Sequence, residues 1–242
     1  MVLSLPMAAG IHTYTEQSVL SNGRWVKIRV SESGVCRMTF AQLQEAGLNP
    51  RQLRVFGFGG AMLTQDFMQP KIDDLPQVPV YVGSDYVLFW VQGPVSWSYD
   101  GTRFAHTRNT YSDYGYYFLT DNTGDLLAPT LAEEITGTPA EITTYPFLQV
   151  HDKDSINLVD RSGVSGGGRD FYGEQFNPNQ KRTFTFATPN AVSGEKTQVY
   201  VDVAAMSGEI TSFRANINSS FNTTITIKEI ESNEHYTMAN PA

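Results

Sequence analysis

Short segments in which apolar and polar residues alternate recur along this 242-residue chain and limit what it can fold into. Val199, Val201 and Val203 alternate with Tyr200 and Asp202, which is the period of a strand with one buried face. The chain also has 20 glycines and 12 prolines, which form turns and interrupt regular structure. The sequence therefore predicts a mainly β protein.

A change in composition after Thr120 divides the chain into two predicted domains. Residues 121–138 contain glycine, proline and several acids without strand alternation, which predicts a connecting segment. We expect a flexible terminus or signal-peptide remnant over residues 1–17, an aromatic-rich β domain over 18–138 and a β-sandwich or jelly-roll-like domain over 139–242. The predicted strands of the last domain are Thr143–Val150, Thr183–Phe186, Gln198–Ala204, Thr211–Ile217 and Thr223–Ile230.

Local signals predict three elements in the first of these domains. Arg24–Val30 and Gly34–Met38 are expected to form a hairpin. Thr39 begins a Thr-x-x-Gln capping box, which predicts one short helix near residues 39–46. The two prolines within Asp73–Pro79 predict an extended segment at a sheet edge.

Charge and cysteine content exclude several classes of protein. The 17 basic and 25 acidic residues give a net charge of −8 without a basic block, so nucleic acid and anionic membrane surfaces are poor partners. The sequence has no apolar run of about 18 residues that could span a membrane. Cys36 is the sole cysteine and cannot form an intramolecular disulfide.

Aromatic residues are concentrated in residues 81–118, which hold 12 of the chain's 29. We expect most of them to fill the core of a small β domain. Trp97, Tyr99 and Tyr111 fall in predicted turns, and we expect these three to be exposed. Such residues are candidates for binding a sugar or a partner protein.

The sequence contains four weak signals for chemistry. Cys36 is the only candidate thiol nucleophile, but its place in an alternating segment favours a small buried residue. The Gly57–Gly60 run lacks the third glycine and the helix of a phosphate loop. A calcium loop at Asp152, Asp154 and Asn157 lacks its glycine and distal glutamate. An acid–base pair would have to come from Asp73, Asp74, Asp113 or His106. We therefore predict no catalytic residue, metal or cofactor.

Several motifs resemble the N-terminal region of PorU-type sortases of the type IX secretion system, which belong with the gingipain-like cysteine peptidases. The similar segments span roughly residues 18–215 and include Trp25–Ile28, Glu32–Val35, Leu53–Gly60, Asp74–Pro79, Asp85–Phe89, Gln92–Pro94, Trp97, Tyr111–Tyr114, Tyr116–Leu119 and Gly173–Phe176. Cys36 departs from the family, which is expected to have an aromatic residue there.

The resemblance implies a non-catalytic accessory module that acts through protein contacts with a peptidase domain or with secretion components. The catalytic His and Cys of that family are expected further downstream than this sequence extends. The implied location is the periplasm or the outer-membrane surface, and Asp154-Ser155-Ile156 resembles an O-glycosylation site at Ser155 of proteins exported in this way. The alternative is a carbohydrate-binding or adhesive surface module that uses exposed aromatics.

Overall fold

The computed structural model describes residues 14–66, 68–132, 141–161, 170–231 and 237–239. The chain divides into two compact units, Met1–Glu134 and Ile135–Ala242. Both are β-rich and contain antiparallel sheets, as the sequence predicts. Most of the predicted N-terminal segment 1–17, the predicted boundary near residue 138 and the loop Ser162–Gly168 lie outside the described residues.

The described part of the first unit contains strands β1 to β9 and one α-helix. The strands are β1 (Val26–Val30), β2 (Gly34–Thr39), β3 (Arg54–Gly59), β4 (Gln77–Val78), β5 (Tyr81–Val82), β6 (Tyr86–Val91), β7 (Val95–Tyr99), β8 (Phe104–Arg108) and β9 (Gly115–Thr120), and the helix is α1 (Phe40–Glu45). Two 3-10 turns cover Val19–Ser21 and Pro50–Gln52.

These strands form two layers and a separate hairpin. One sheet has four strands in the order β1-β9-β3-β4, a second has three in the order β2-β6-β5, and β7 pairs with β8. Val55 and Leu119 from the four-stranded sheet, and Val87 and Phe89 from the three-stranded sheet, belong to one buried cluster. The core of this unit therefore lies between the two sheets.

Helix α1 forms where the capping box predicts it. Thr39 Oγ1 accepts a hydrogen bond from Gln42 N (3.3 Å), and Gln42 Oε1 accepts one from Thr39 N (2.8 Å). Gly47 ends the helix with φ +75°, a left-handed conformation that glycine adopts without strain. The Arg24 guanidinium donates to the carbonyls of Ala46 and Gly47, and Leu43 is fully buried.

The predicted hairpin of residues 24–38 is wrong. Strand β1 pairs with β9, in the register Val26 with Leu119, whereas β2 pairs with β6, in the register Cys36 with Phe89. The chain thus passes from one layer to the other between β1 and β2. Ser33 Oγ accepts a hydrogen bond from Gly93 N at 3.0 Å, so a residue far along the chain fixes this crossing, and local turn signals do not reveal it.

The edge position predicted for Asp73–Pro79 is confirmed. Among the described strands, β4 pairs only with β3 and forms one edge of the four-stranded sheet, with Val78 opposite Val55. Among the described residues, no helix is long and apolar enough to cross a membrane.

The second unit pairs its described strands two by two. They are β10 (Ile156–Asn157) with β11 (Phe171–Tyr172), β12 (Val203–Ala205) with β15 (Thr237–Ala239), and β13 (Thr211–Ile217) with β14 (Phe221–Ile227); helix α2 covers Leu158–Arg161. The predicted strand Thr211–Ile217 is confirmed, and its neighbour begins at Phe221 rather than Thr223. A layered sandwich in this unit stays a prediction.

Three predicted strands of this unit need correction. Residues 143–150 and 183–186 have no strand structure, and Gln198–Ala204 is reduced to Val203–Ala205. Alternation is not enough to make a strand, because a strand needs a partner for its backbone groups. None of the strand pairs in the described part of the chain includes residues 143–150 or 183–186.

Candidate functional site

The β7–β8 hairpin carries a row of aromatic side chains on one face. Trp97 pairs with His106 and Tyr99 pairs with Phe104 across the two strands. Directly opposed residues of antiparallel strands point to the same side. The ring centroids lie 5.3 Å apart in the first pair and 4.7 Å apart in the second. We call these four residues the aromatic ladder.

The turn of this hairpin is held by Asp100. Its Oδ1 accepts hydrogen bonds from Thr102 N and Arg103 N, both at 2.8 Å. These two bonds hold the pKa of Asp100 below its ordinary value, because they favour the ionised carboxylate. Gly101 has φ +95°, which suits glycine at the tip of the turn.

A pocket of about 300 Å³ lies beside the first pair of the ladder, and we call it the Trp97 pocket. Ser31, Glu32, Ser33, Val95 and Trp97 line it. Two elements thus build it: the crossing between β1 and β2, and the first part of β7. The residues that line it are a tryptophan, a valine, a glutamate and two serines, residue types that offer both apolar contact and hydrogen bonds.

The structure brings two of the three predicted surface residues together. Trp97 and Tyr99 lie on strand β7 rather than in a turn, and they are 46% and 58% exposed. Tyr111 is 72% exposed in the turn after β8, where its backbone N–H donates to Asn109 Oδ1, and it does not line the Trp97 pocket.

Sequence reasoning missed the other members of this site. Phe104 and His106 alternate with Ala105 and Thr107, a strand signal that could have placed both rings on one face of β8. Nothing local marks Glu32, because it reaches the Trp97 pocket only through the crossing between the two sheets.

The prediction that the aromatics of residues 81–118 mostly fill the core is wrong. Phe89 and Tyr117 are buried, whereas seven of the twelve are exposed: Tyr81, Trp90, Trp97, Tyr99, Phe104, Tyr111 and Tyr116. A two-layer sandwich buries one face of each strand, so an aromatic on the other face stays at the surface.

The outer surface of the three-stranded sheet carries several exposed apolar side chains. Val35 and Trp90 lie opposite each other and are 65% and 57% exposed. Tyr81 pairs with Leu88 on the same surface, and the Arg37 guanidinium lies 4.7 Å from the centroid of the Tyr86 ring. We call this surface the outer apolar face.

The outer surface of the four-stranded sheet has a different chemistry. Lys27 Nζ lies 3.9 Å from the centroid of the Tyr116 ring, and the Arg29 guanidinium lies 4.7 Å from that of Tyr114. The negative faces of these rings attract the cations. Each of these rings therefore already has a cation of the same protein over one face.

Cys36 has the properties of a structural residue. It packs against the buried core and is only partly exposed. Burial raises the pKa of its thiol, whereas a nucleophilic cysteine needs a lowered one. The interpretation of Cys36 as a small core residue agrees with this environment.

The Gly57–Gly60 run lets the two sheets approach closely. A Cβ atom on Gly59 would lie 2.6 Å from the backbone oxygen of Gln92, and one on Gly60 would lie 2.9 Å from Pro94 N. Gly60 N also donates to Gln92 O at 3.0 Å. These contacts account for the glycines through packing.

The four candidate acid–base residues have separate structural contacts. Asp73 accepts from Thr15 N, and Asp74 accepts from Ser18 Oγ and Val19 N. Asp113 pairs with Arg108 at 3.2 Å, and His106 belongs to the aromatic ladder.

The candidate calcium loop also has a structural explanation. Asn157 is buried, and its Oδ1 accepts a hydrogen bond from Val159 N at 3.0 Å at the start of helix α2. In the described part of the chain, no group of three His, Cys, Asp or Glu side chains is placed to hold a metal ion. Nearby, His151 Nε2 lies 3.1 Å from Glu174 Oε1, and the His151 ring lies 4.6 Å from that of Phe184.

Together these features define a β-rich protein of antiparallel sheets whose exposed faces are rich in aromatic side chains. The structure is similar to the crystal structure of dimeric latent PorU from Porphyromonas gingivalis, with 27% sequence identity and a TM-score of 0.62. The similarity covers 94% of this chain and 22% of the PorU chain. No protein-family model and no curated protein matches the sequence.

Proposed function

We propose that this chain is a PorU-related accessory module that carries out no catalysis itself and binds a gingipain-like cysteine peptidase domain. The similarity to part of a PorU chain, over 94% of this one, is the observation that carries the proposal. The motifs that resemble PorU-type sortases lie in both units of the chain, so the proposal concerns the whole of it.

The environment of the candidate chemical groups supports a non-catalytic role. The Cys36 thiol packs on the core with a raised pKa, so little of it is the reactive thiolate near neutral pH. Asp74 and Asp113 hold parts of the fold through hydrogen bonds.

The outer apolar face is the surface we assign to the peptidase domain. Exposed Trp90 and Val35 lie side by side on it, with Arg37 at its margin. Exposed apolar surface of this kind is typical of protein interfaces, and tryptophan and arginine are frequent among the residues that dominate binding.

A binding experiment tests this assignment. The purified chain is mixed with the peptidase domain of a PorU-type protein from the same organism, and the complex is measured by size-exclusion chromatography with light scattering. We expect a 1:1 complex that Trp90→Ser weakens by at least about tenfold, the loss expected for a dominant interface residue. Trp97→Ser is the matched control, because Trp97 is also exposed but lies on the separate hairpin, and we expect it to leave the complex intact.

Two results would contradict the proposal. One is the absence of any complex between the two proteins at micromolar concentrations. The other is peptide hydrolysis by the purified chain that disappears in Cys36→Ala.

A location outside the cytoplasm, in the periplasm or at the outer-membrane surface, belongs to the same proposal. Ser155 is exposed, and its backbone N–H donates to Tyr172 O at 3.1 Å just before β10. Its hydroxyl is therefore accessible to a glycosyltransferase. Mass spectrometry of the chain purified from its own cell envelope tests whether Ser155 is glycosylated. An unmodified Ser155 would contradict the proposed modification.

A further inference from the structure

The Trp97 pocket and the aromatic ladder together form a surface that the proposed binding to a peptidase does not use. The pocket lies at one end of the hairpin face and the Asp100 turn at the other. Trp97 lines the pocket and also belongs to the ladder, so the two parts are continuous.

The pocket has the chemistry of a sugar subsite. The indole of Trp97 offers a flat apolar surface on which the C–H groups of a pyranose ring can stack, because one face of such a ring is apolar. Glu32 accepts hydrogen bonds from hydroxyl groups, and the serine hydroxyls can donate or accept. Ser33 Oγ already accepts from Gly93 N, which fixes its position and leaves its proton to donate. A volume of about 300 Å³ lies at the lower end of the range for small-molecule sites.

The charge of the pocket selects among sugars. Glu32 is the only charged residue among the described residues that line the pocket, and the whole chain carries a net charge of −8. A carboxylate or sulfate on the ligand would be repelled by Glu32. The pocket therefore suits a neutral sugar rather than a uronic acid or a sulfated glycan.

The ladder extends the site beyond one sugar ring. Residues two apart on a strand are separated by about 7 Å, so Tyr99 and Phe104 continue the aromatic surface from Trp97 toward the turn. Tyr99 is 58% exposed and Phe104 is 41% exposed. A ligand that covers both ring pairs needs at least two linked sugar rings.

We propose that the Trp97 pocket and the aromatic ladder bind a neutral oligosaccharide, with one ring stacked on Trp97 and its hydroxyls bonded to Glu32 and the neighbouring serines. The residues of this site differ from those of the outer apolar face, and each proposal has its own binding measurement, so either proposal can fail without the other.

Tryptophan fluorescence tests the proposal on the full chain. The chain is titrated with neutral di- and trisaccharides of glucose, galactose, mannose and N-acetylglucosamine, with glucuronic acid disaccharides as the charged comparison. We expect a saturable change with at least one neutral series and at least tenfold weaker binding of its glucuronic counterpart. The same neutral oligosaccharide should lose at least tenfold in affinity in Trp97→Ala and in Glu32→Ala.

Trp90→Ala is the matched control, because it removes a tryptophan of similar exposure from a different surface. We expect it to change the fluorescence of the free chain and to leave the affinity unchanged. Circular dichroism checks that each variant is folded. The proposal is overturned if no neutral oligosaccharide gives saturable binding, or if Trp97→Ala binds as tightly as Trp90→Ala.

Discussion

The phenol oxygen of Tyr117 accepts a hydrogen bond from the backbone N–H of Gln92 at 2.7 Å. Tyr117 lies on β9 in the four-stranded sheet, and Gln92 directly follows β6 of the three-stranded sheet. This bond therefore joins the two layers at a site where Tyr117 is 2% exposed. Burial raises the pKa of Tyr117, and the bond from Gln92 offsets part of that rise.

Tyr117→Phe tests what this bond contributes. The change removes the acceptor but keeps the ring, so the partly buried Gln92 N–H loses its partner, and we expect the free energy of unfolding to fall by about 1–3 kcal/mol. Urea denaturation followed by fluorescence measures it. Tyr111→Phe, at a 72% exposed position, should change stability by no more than about 0.5 kcal/mol. Equal effects of the two changes would contradict this account.

Gly59 and Gly101 allow two effects of replacing a glycine to be measured separately: strain from a positive φ, and lack of space for a side chain. Both have positive φ, +86° and +95°, but a Cβ on Gly59 would lie 2.6 Å from Gln92 O, whereas nothing lies within 4 Å of one on Gly101. We expect Gly101→Ala to cost about 1 kcal/mol through backbone strain. Gly59→Ala should cost at least about 1 kcal/mol more, because the sheets must also move apart. Thermal or urea denaturation of the pair gives the difference, and equal losses would argue against close packing at Gly59.

The stability of the 3-10 turn Val19–Ser21 should depend on pH through Asp74. Burial alone would raise the pKa of Asp74, but hydrogen bonds from Val19 N, Leu75 N and Ser18 Oγ hold it below its ordinary value. A lowered pKa in the folded state means that the stabilisation is present above about pH 4 and is lost as the pH falls through the folded pKa.

We therefore expect the amide of Val19 to exchange faster with solvent below about pH 4, after correction for intrinsic exchange, as the carboxylate becomes protonated. Asp74→Asn should show the faster exchange already at pH 7 and should lose about 0.5–1 kcal/mol of stability, because hydrogen bonds to a neutral amide are weaker than those to a carboxylate. Asp125→Asn changes an exposed carboxylate and serves as the control. An Asp74→Asn variant that exchanges like the parent chain would refute the role of the charge.

Cys36 should react slowly with thiol reagents. Its pKa is raised by burial, so at pH 8 a smaller fraction is thiolate than in a free cysteine. We expect modification by a disulfide reagent to be at least several-fold slower than for glutathione under the same conditions. The rate should reach that of glutathione in denaturant. Fast modification of the folded chain would indicate an activated thiol instead.

Secondary-structure elements that are determined by residues close together in sequence can be predicted for this chain. The capping box at Thr39 and Gln42 identifies helix α1, and the prolines near Val78 identify an edge strand, because both signals act within a few residues. The strand Thr211–Ile217 follows from its own alternation and a partner that comes soon after it. The sheet to which each strand belongs cannot be predicted from local sequence, because β1 pairs with a strand that contains Leu119 and β2 pairs with one that contains Phe89.

Only the aromatic part of the candidate sugar site can be predicted from the sequence, because the rest of the site comes from a distant part of the chain. Exposed aromatics at Trp97 and Tyr99 can be suspected from composition, and the rings of β8 from its alternation. Glu32 and the serines beside it lie more than 60 residues from Trp97 in sequence. Only the crossing between the sheets brings them into the same pocket.

The crossing also sets the order in which the first unit can fold. Strand β1 pairs with β9, which ends at Thr120, so the four-stranded sheet cannot form on the ribosome until residue 120 has emerged. Contacts so distant in sequence make folding slow compared with that of a helical protein of the same length. The apolar residues of β1 therefore stay unpaired in the nascent chain until β9 has been synthesised. During this interval a molecular chaperone can bind them.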